Sequence, residues 1–387
     1  MSNLKTFFPN VVLTGAGAIS QIPYWIKHFG GSKVLLVTDS NLSRLGFVQK
    51  IKDVVVNDDI KLIVWDEVTA DPDISIVQKG LEVLTKSGCN LIIGLGGGSV
   101  LDVAKAVAIV SENGGSIQDC IGLYKVLRRG LPKFLIPTTA GTGSEATQAS
   151  VLVDKKNGRK VAIYSEYNMA DVVFLDFELT YSLPPLVTAD TGIDALCHAI
   201  EAVVSRGSSD FTDVVALSSI EKAGRYLIRA YNNGKNDREA REGMAIAAFY
   251  AGISFCGAGL GGAHGLAYPL SIDYRVSHGR SVSVLLPWVM EYNLDTAEEK
   301  FSKIAIALDS SYSNLSVKEA ARKSIDIVKD ILANLNISYN LNDYGVKKED
   351  IPLMAENAVR STERLLKFNP RKISIKDAEK IYQKAWY

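Results

Sequence analysis

The sequence predicts an α/β protein in two parts: a mainly parallel sheet with covering helices over residues 1–183, then an all-helical domain over residues 184–387. Two observations carry this. Brief apolar runs alternate with segments of helical period in the first part, and strand-like runs nearly vanish after Leu183-Pro184-Pro185. Short apolar runs between polar ends are the pattern of strands buried on both faces, and alternation with helices implies parallel pairing.

Taken in order, Lys33–Asp39, Lys61–Asp66, Asn90–Leu95, Phe134–Pro137 and Val172–Asp176 read as strands. Between them, Ile74–Lys86 and Val100–Val110 carry apolar residues at helical spacing, with Asp102 and Lys105 on another face. Beyond the break, Ala189–Ser205, Thr212–Tyr231 and Val317–Leu335 are helical in period. Met244–Ala263 runs 20 residues without a charge, long enough on paper to span a bilayer. It holds five glycines, lacks a basic flank on its C-terminal side and leads straight into His264. A buried helix followed by a Gly-rich turn fits that pattern better than a membrane span.

Composition narrows the function. The 387 residues include 43 Lys+Arg against 43 Asp+Glu, so no basic excess exists to neutralise nucleic-acid phosphates. At 47% hydrophobic and 22% charged, the chain is not disordered. Its four cysteines form no CxxC pair, which argues against a disulfide framework or a zinc ribbon. The start, MSNLKTFFPN, has no apolar h-region, and the expected location is the cytoplasm.

Two loops have the chemistry of a nucleotide site. Gly94-Leu-Gly96-Gly97-Gly98-Ser99 follows a predicted strand and opens a predicted helix. Glycines there let the backbone approach a diphosphate, and the helix N-terminus offers unpaired N–H groups. A plain tight turn would use the same residues. Asp39, at the end of an earlier strand, is the best acidic candidate for the ribose hydroxyls; its charge would repel a 2′-phosphate, favouring NAD over NADP. A helix cap is the competing role for that aspartate. Pro137-Thr138-Thr139-Ala140-Gly141-Thr142-Gly143-Ser144-Glu145 is a second small, hydroxyl-rich loop after a strand.

Histidine is scarce: His28, His198, His264 and His278. In Asp194-Ala-Leu-Cys-His198 the carboxylate and imidazole stand four apart and share a helix face. With His264 and His278 they offer one oxygen and three nitrogens, a donor set suited to Fe(II) or Zn(II). A surface helix pair is the ordinary alternative for Asp-x3-His. His28, beside Tyr24, Trp25 and Phe29, reads as a packing or surface residue.

On Gly96-Gly97-Gly98-Ser99 with Asp102, Pro137 to Glu145, Gly192-Ile-Asp194-Ala-Leu-Cys-His198-Ala-Ile-Glu201, His264-Gly-Leu-Ala, His278-Gly and Asn369-Pro370-Arg371, the chain resembles the iron-containing (group III) alcohol dehydrogenase family nearly end to end. That family is similar in fold to dehydroquinate synthase and glycerol dehydrogenase. The resemblance implies an N-terminal dinucleotide-binding domain and a C-terminal metal-binding domain, with homo-oligomers common. It implies Asp194, His198, His264 and His278 as ligands of one divalent metal, Fe(II) favoured and Zn(II) accepting the same set. Gly96, Gly97, Gly98, Ser99 and Asp102 would hold the pyrophosphate region, while Thr138, Thr139, Thr142 and Ser144 would line the cofactor. Lys160 would approach its ribose, and Asp39 matches the position facing the adenosine ribose in NAD-preferring members. One position departs: where many members have a second histidine four residues past the third ligand, this chain has Tyr268. His264-Gly-Leu-Ala-Tyr268-Pro269 looks like the hydroxyacid–oxoacid transhydrogenase branch and some related dehydrogenases. Tyr268 could relay a proton or pack against substrate.

The implied activity is reversible hydride transfer between a small alcohol and nicotinamide, with the metal as Lewis acid. The competing reaction on the same fold is hydroxyacid–oxoacid transhydrogenation, for which Arg275 and Arg280 could hold a carboxylate or simply be exposed charges. A catalytically silent binding protein is a third reading, opposed by the complete ligand set.

Overall fold

The computed structural model describes residues 5–56 and 59–386. Among these, nine strands form two sheets: β1 (Val11–Thr14), β2 (Lys33–Val37), β3 (Lys61–Trp65), β4 (Leu91–Gly96), β5 (Gly122–Leu123), β6 (Lys133–Pro137), β7 (Ala149–Asp154), β8 (Arg159–Tyr164) and β9 (Val172–Leu175). The larger sheet has the order β1-β9-β6-β4-β2-β3 and is parallel throughout. Its strands read as unbroken apolar runs because helices cover both faces. Val34, Leu36, Ile93, Phe134, Ile136 and Phe174 are fully buried in one core, each worth about 1.5–3 kcal/mol in apolar burial.

The five strands expected from sequence are β2, β3, β4, β6 and β9. The second sheet was not expected: β7 pairs antiparallel with β8, which pairs parallel with β5. Exposed and buried positions alternate along part of this hairpin, so it lacks the continuous apolar signal. Its turn is made by Asp154, which caps Asn157 N, and by Gly158 at φ 58°.

The chain divides into two compact units. One holds Phe7–Thr139 and Gly143–Tyr181; the other runs from Ser182 to the end of the described chain and takes in Ala140–Thr142. The second unit is helical. At its centre lies the Pro185–Val204 helix, opened by proline in its first turn, with most of its residues buried. The Asp210–Asn233, Arg238–Ala258 and His278–Asn293 helices pack around it. The uncharged stretch from Met244 forms most of the Arg238–Ala258 helix, whose axis meets that of Gly262–Asp273 at 91°. Met244, Ala247, Ala248, Ala251 and Ala258 belong to the helical core. Among the described residues no single helix is long and apolar enough to cross a membrane, although this bent pair passes on length and composition.

Candidate active site

In the α/β unit, β2 neighbours both β3 and β4, while later strands extend the sheet beyond β4. The winding direction therefore reverses between β2 and β4. In open parallel sheets such a reversal leaves a crevice at the carboxyl ends of the strands. Asp39 follows β2, Gly96 ends β4 with Gly97–Ser99 just beyond it, and Thr138 and Thr139 follow β6. The Gly98–Glu112 helix has Gly97 at its N-cap and no side-chain cap, so its first N–H groups face outward from that end. A Cβ on Gly96 would lie 2.7 Å from Val100 Cβ, and one on Gly97 would lie 3.3 Å from Thr139 Oγ1. The tightness of the turn thus requires Gly96.

Asp39 does act as a cap. Its Oδ1 accepts from Asn41 N at 2.8 Å and Leu42 N at 3.1 Å, starting the Ser40–Arg44 helix. Asp102 and Ser144 are engaged with each other: Ser144 Oγ donates to Asp102 Oδ1 at 2.6 Å, and Val151 N donates to Oδ2 at 3.0 Å. Fully buried Lys105 joins them, 3.1 Å from Asp102 Oδ1 and 2.8 Å from the Ser144 carbonyl. This network shapes the loop after β6. Thr138 is buried and takes its place through Thr138 N to Gly96 O, 3.0 Å. Lys160, on β8, lies 3.4 Å from Asp71 Oδ1. Thr142 groups with the helical unit.

In the helical unit, Asp190, Asp194, His198 and Glu201 recur at steps of four, four and three along the Pro185–Val204 helix and share one face. Asp194 Oδ1 lies 3.9 Å from His198 Nε2, 3.6 Å from His264 Nε2 and 4.0 Å from His278 Nε2. His264 comes from the short Gly262–Leu266 helix and His278 opens the His278–Asn293 helix. The first three residues are buried and could share one ion; His278 is the open member, its side chain 40% exposed. Asp194 Oδ1 and His264 Nε2 have no hydrogen-bond partner. Buried polar atoms left unpaired are costly and rare. A cation among them, at ligand distances of about 2.0–2.2 Å, would satisfy both. The donor set therefore fits a divalent metal.

Charge favours the same conclusion. Burial works against ionisation of Asp194, yet the His198, His278 and His264 rings around it hold its carboxyl well below the usual range. Burial pushes His198 down to about 4, keeping its ring neutral. For His264 burial opposes protonation, but the Glu201 carboxylate lifts it well above the ordinary value. A metal and a proton would therefore compete for its Nε2.

The sequence reading gave Glu201 and Asn369 no task. Glu201 Oε2 lies 2.6 Å from His264 Nδ1, and its Oε1 accepts from Ala263 N at 2.6 Å. Asn369 Oδ1 accepts from Gly262 N at 3.0 Å, tying the C-terminal Asn369-Pro370-Arg371 segment to the His264 loop. Asp190 was also missed. It accepts from Arg280 Nε at 3.0 Å and Ser277 Oγ at 2.7 Å, clamping both sides of His278. Arg280 is thus paired within the protein, a role neither of its two expected ones described. Arg275 takes a positive φ of 56° in the segment before His278. Tyr268 opens the Tyr268–Asp273 helix, half-buried. His28 lies edge-on to Trp25 and Phe29.

A doubly wound parallel sheet with a glycine-bounded crevice, joined in one chain to a helical aspartate–histidine cluster, defines a class of nucleotide-dependent metalloenzyme. Comparison with known proteins gives the family. Residues 9–177 match the iron-containing alcohol dehydrogenase model, and residues 188–386 match the model of the Fe-containing alcohol dehydrogenase family, C-terminal. The chain is 36% identical to long-chain-alcohol dehydrogenase 1 of Geobacillus thermodenitrificans, over 100% of this chain and 98% of that one. Among solved structures it is similar to a 1,3-propanediol oxidoreductase, with a TM-score of 0.96, 34% identity and full coverage of both chains. It is also similar to a sulfoacetaldehyde reductase of Bifidobacterium kashiwanohense in complex with NAD+, with a TM-score of 0.89, 28% identity, and 100% of this chain and 99% of that one covered. The chain belongs to the iron-containing alcohol dehydrogenase family and is an oxidoreductase.

Proposed function

We propose that this chain interconverts a small alcohol and its aldehyde with NAD(H), using one divalent cation, Fe(II) by preference, held by Asp194, His198, His264 and His278. The observation that carries this reading is the convergence of three Nε2 atoms on one aspartate oxygen at 3.6–4.0 Å, with that oxygen unpartnered. When bound, the cation supplies Lewis acidity at the substrate oxygen and the nicotinamide supplies or accepts the hydride.

The chain's own residues do the rest. Asp194 contributes the single negative charge, and His198 stays neutral and keeps a lone pair for coordination. Asp194, His198 and His264 are buried, and His278 is the exposed member, beside which substrate would approach. For NAD, the backbone of Gly96–Ser99 would meet the pyrophosphate, with Thr138 and Thr139 beside it. Asp39 would present Oδ2 to the ribose while Oδ1 holds the Ser40–Arg44 helix, which is the basis for preferring NAD to NADP. The bonding of Arg280 to Asp190 weighs against a hydroxyacid as the preferred substrate.

The test is a steady-state screen of short alcohols and aldehydes with NAD and NADP, in iron-loaded and zinc-loaded protein, with His264→Ala alongside. Sustained NADH formation from a carboxylate-free alcohol is expected, and its loss in H264A. Full turnover by H264A would overturn the reading.

A further inference from the structure

We propose that Glu201 is a positioning residue for the metal centre: it fixes the ring orientation and tautomer of His264 and thereby sets how tightly the cation is held. The inference rests on the metal-centred reading above and adds to it a residue outside the four proposed ligands.

Four observations carry it. Glu201 is 3% exposed and its two oxygens serve two neighbours on the same short helix, Oε2 at His264 Nδ1 and Oε1 at Ala263 N, both 2.6 Å away. An approach of 2.6 Å between carboxylate oxygen and ring nitrogen needs a proton between them. With that proton fixed on Nδ1, Nε2, the atom aimed at Asp194, is the ring nitrogen left to a cation once the cation displaces its proton. Glu201 also stands seven residues beyond Asp194 on the same helix face, so one rigid element carries two of the donors and the group that aims a third. Finally, Asn369 holds the adjacent Gly262 N separately, so backbone placement of the loop does not depend on Glu201 alone.

The substitution Glu201→Gln is close to isosteric yet fails electrostatically either way round. If its carbonyl accepts from Nδ1–H, its amide nitrogen faces the Ala263 N–H, donor against donor. If it flips, the amide donates to Nδ1 and drives the ring proton to Nε2, where it occupies the coordinating lone pair. Partners of this kind behind a metal-bound histidine are typically worth about 10–100-fold in affinity.

The experiment compares wild type and E201Q by titrating metal-free protein with Co(II), read from the visible ligand-field bands, and with Zn(II) against a competing chelator. Ring nitrogen NMR of the zinc-loaded wild type reads the tautomer directly, made tractable by having only four histidines. The expected result is E201Q with unchanged circular dichroism, affinity roughly 10–100-fold weaker, and His264 in wild type protonated at Nδ1. Wild-type affinity in a folded E201Q overturns the inference, as does an Nε2-protonated His264 in the zinc-loaded wild type. The NMR arm stands even if E201Q fails to fold. Should the wild type bind no stoichiometric cation, it is the metal-centred reading itself that falls, a result separable from the others.

Discussion

Gly279→Ala should disable the centre without touching a ligand. Gly279 follows His278 in the first turn of its helix, where a Cβ would lie 2.0 Å from the Asp190 carbonyl oxygen and 3.3 Å from Asp194 Cβ. Ordinary van der Waals contact demands a retreat of roughly 1 Å or more. The obstacle is the backbone of the Pro185–Val204 helix, which cannot swing aside as a side-chain end can. His278 Nε2, already 4.0 Å from Asp194 Oδ1, would be carried outward with its helix. Coordination bonds to iron or zinc tolerate errors of only about 0.2 Å, so His278 would be lost as a ligand. A misplacement of about 1 Å commonly costs about 100-fold in rate, and that is the expected loss of turnover. Steady-state NADH formation, metal content by elemental analysis and circular dichroism together make the assay. A folded G279A that keeps wild-type metal content and wild-type turnover would show that the close approach does not govern His278.

Two further predictions concern the α/β unit. Burial pushes the Glu145 carboxyl up to about 7 from 4.5, with Lys105 pulling the other way. A folded-state value above the unfolded one means stability fully present below pH 4.5 and lost as pH rises through about 7. That loss is about 3 kcal/mol by pH 8. Glu145→Gln should therefore gain urea resistance relative to wild type between pH 5 and pH 8, and a pH-independent difference would refute it. Asp39→Gly removes the charge while keeping most of the cap, since glycine caps cost only a few tenths of a kcal/mol. The ratio of kcat/KM for NADP to that for NAD should rise about tenfold or more, the worth of one charge-assisted hydrogen bond. An unchanged ratio would leave Asp39 as a cap alone.

How much of this could be read from the sequence depends on the reach of each interaction. Asp194 and His198 share a face by i, i+4 spacing, which any helix imposes. The larger sheet was legible because strands covered on both sides need continuous apolar runs. Glu201 and Asn369 stood inside recognisable motifs, but their partners, Ala263 N and Gly262 N, lie 62 and 107 residues away. Nothing local signals a hydrogen bond of that span. The Ser144 hydroxyl meets Asp102, 42 residues earlier, a pairing that a motif cannot announce because it does not say which way a hydroxyl turns. Arg280 was open to either reading until Asp190, on a helix about ninety residues earlier, was brought beside it. The β7–β8 hairpin escaped notice because its pattern runs against polarity in β7, where Ser150 is buried and Val151 is exposed.

The common phase of Asp190, Asp194, His198 and Glu201 makes the centre intolerant of changes in length rather than in identity. One residue inserted between Asp194 and His198 would rotate everything downstream by about 100° and advance it about 1.5 Å, turning a donor and its neighbour's support away together. A replacement segment taken from another protein would have to match this helix in residue count before its composition mattered.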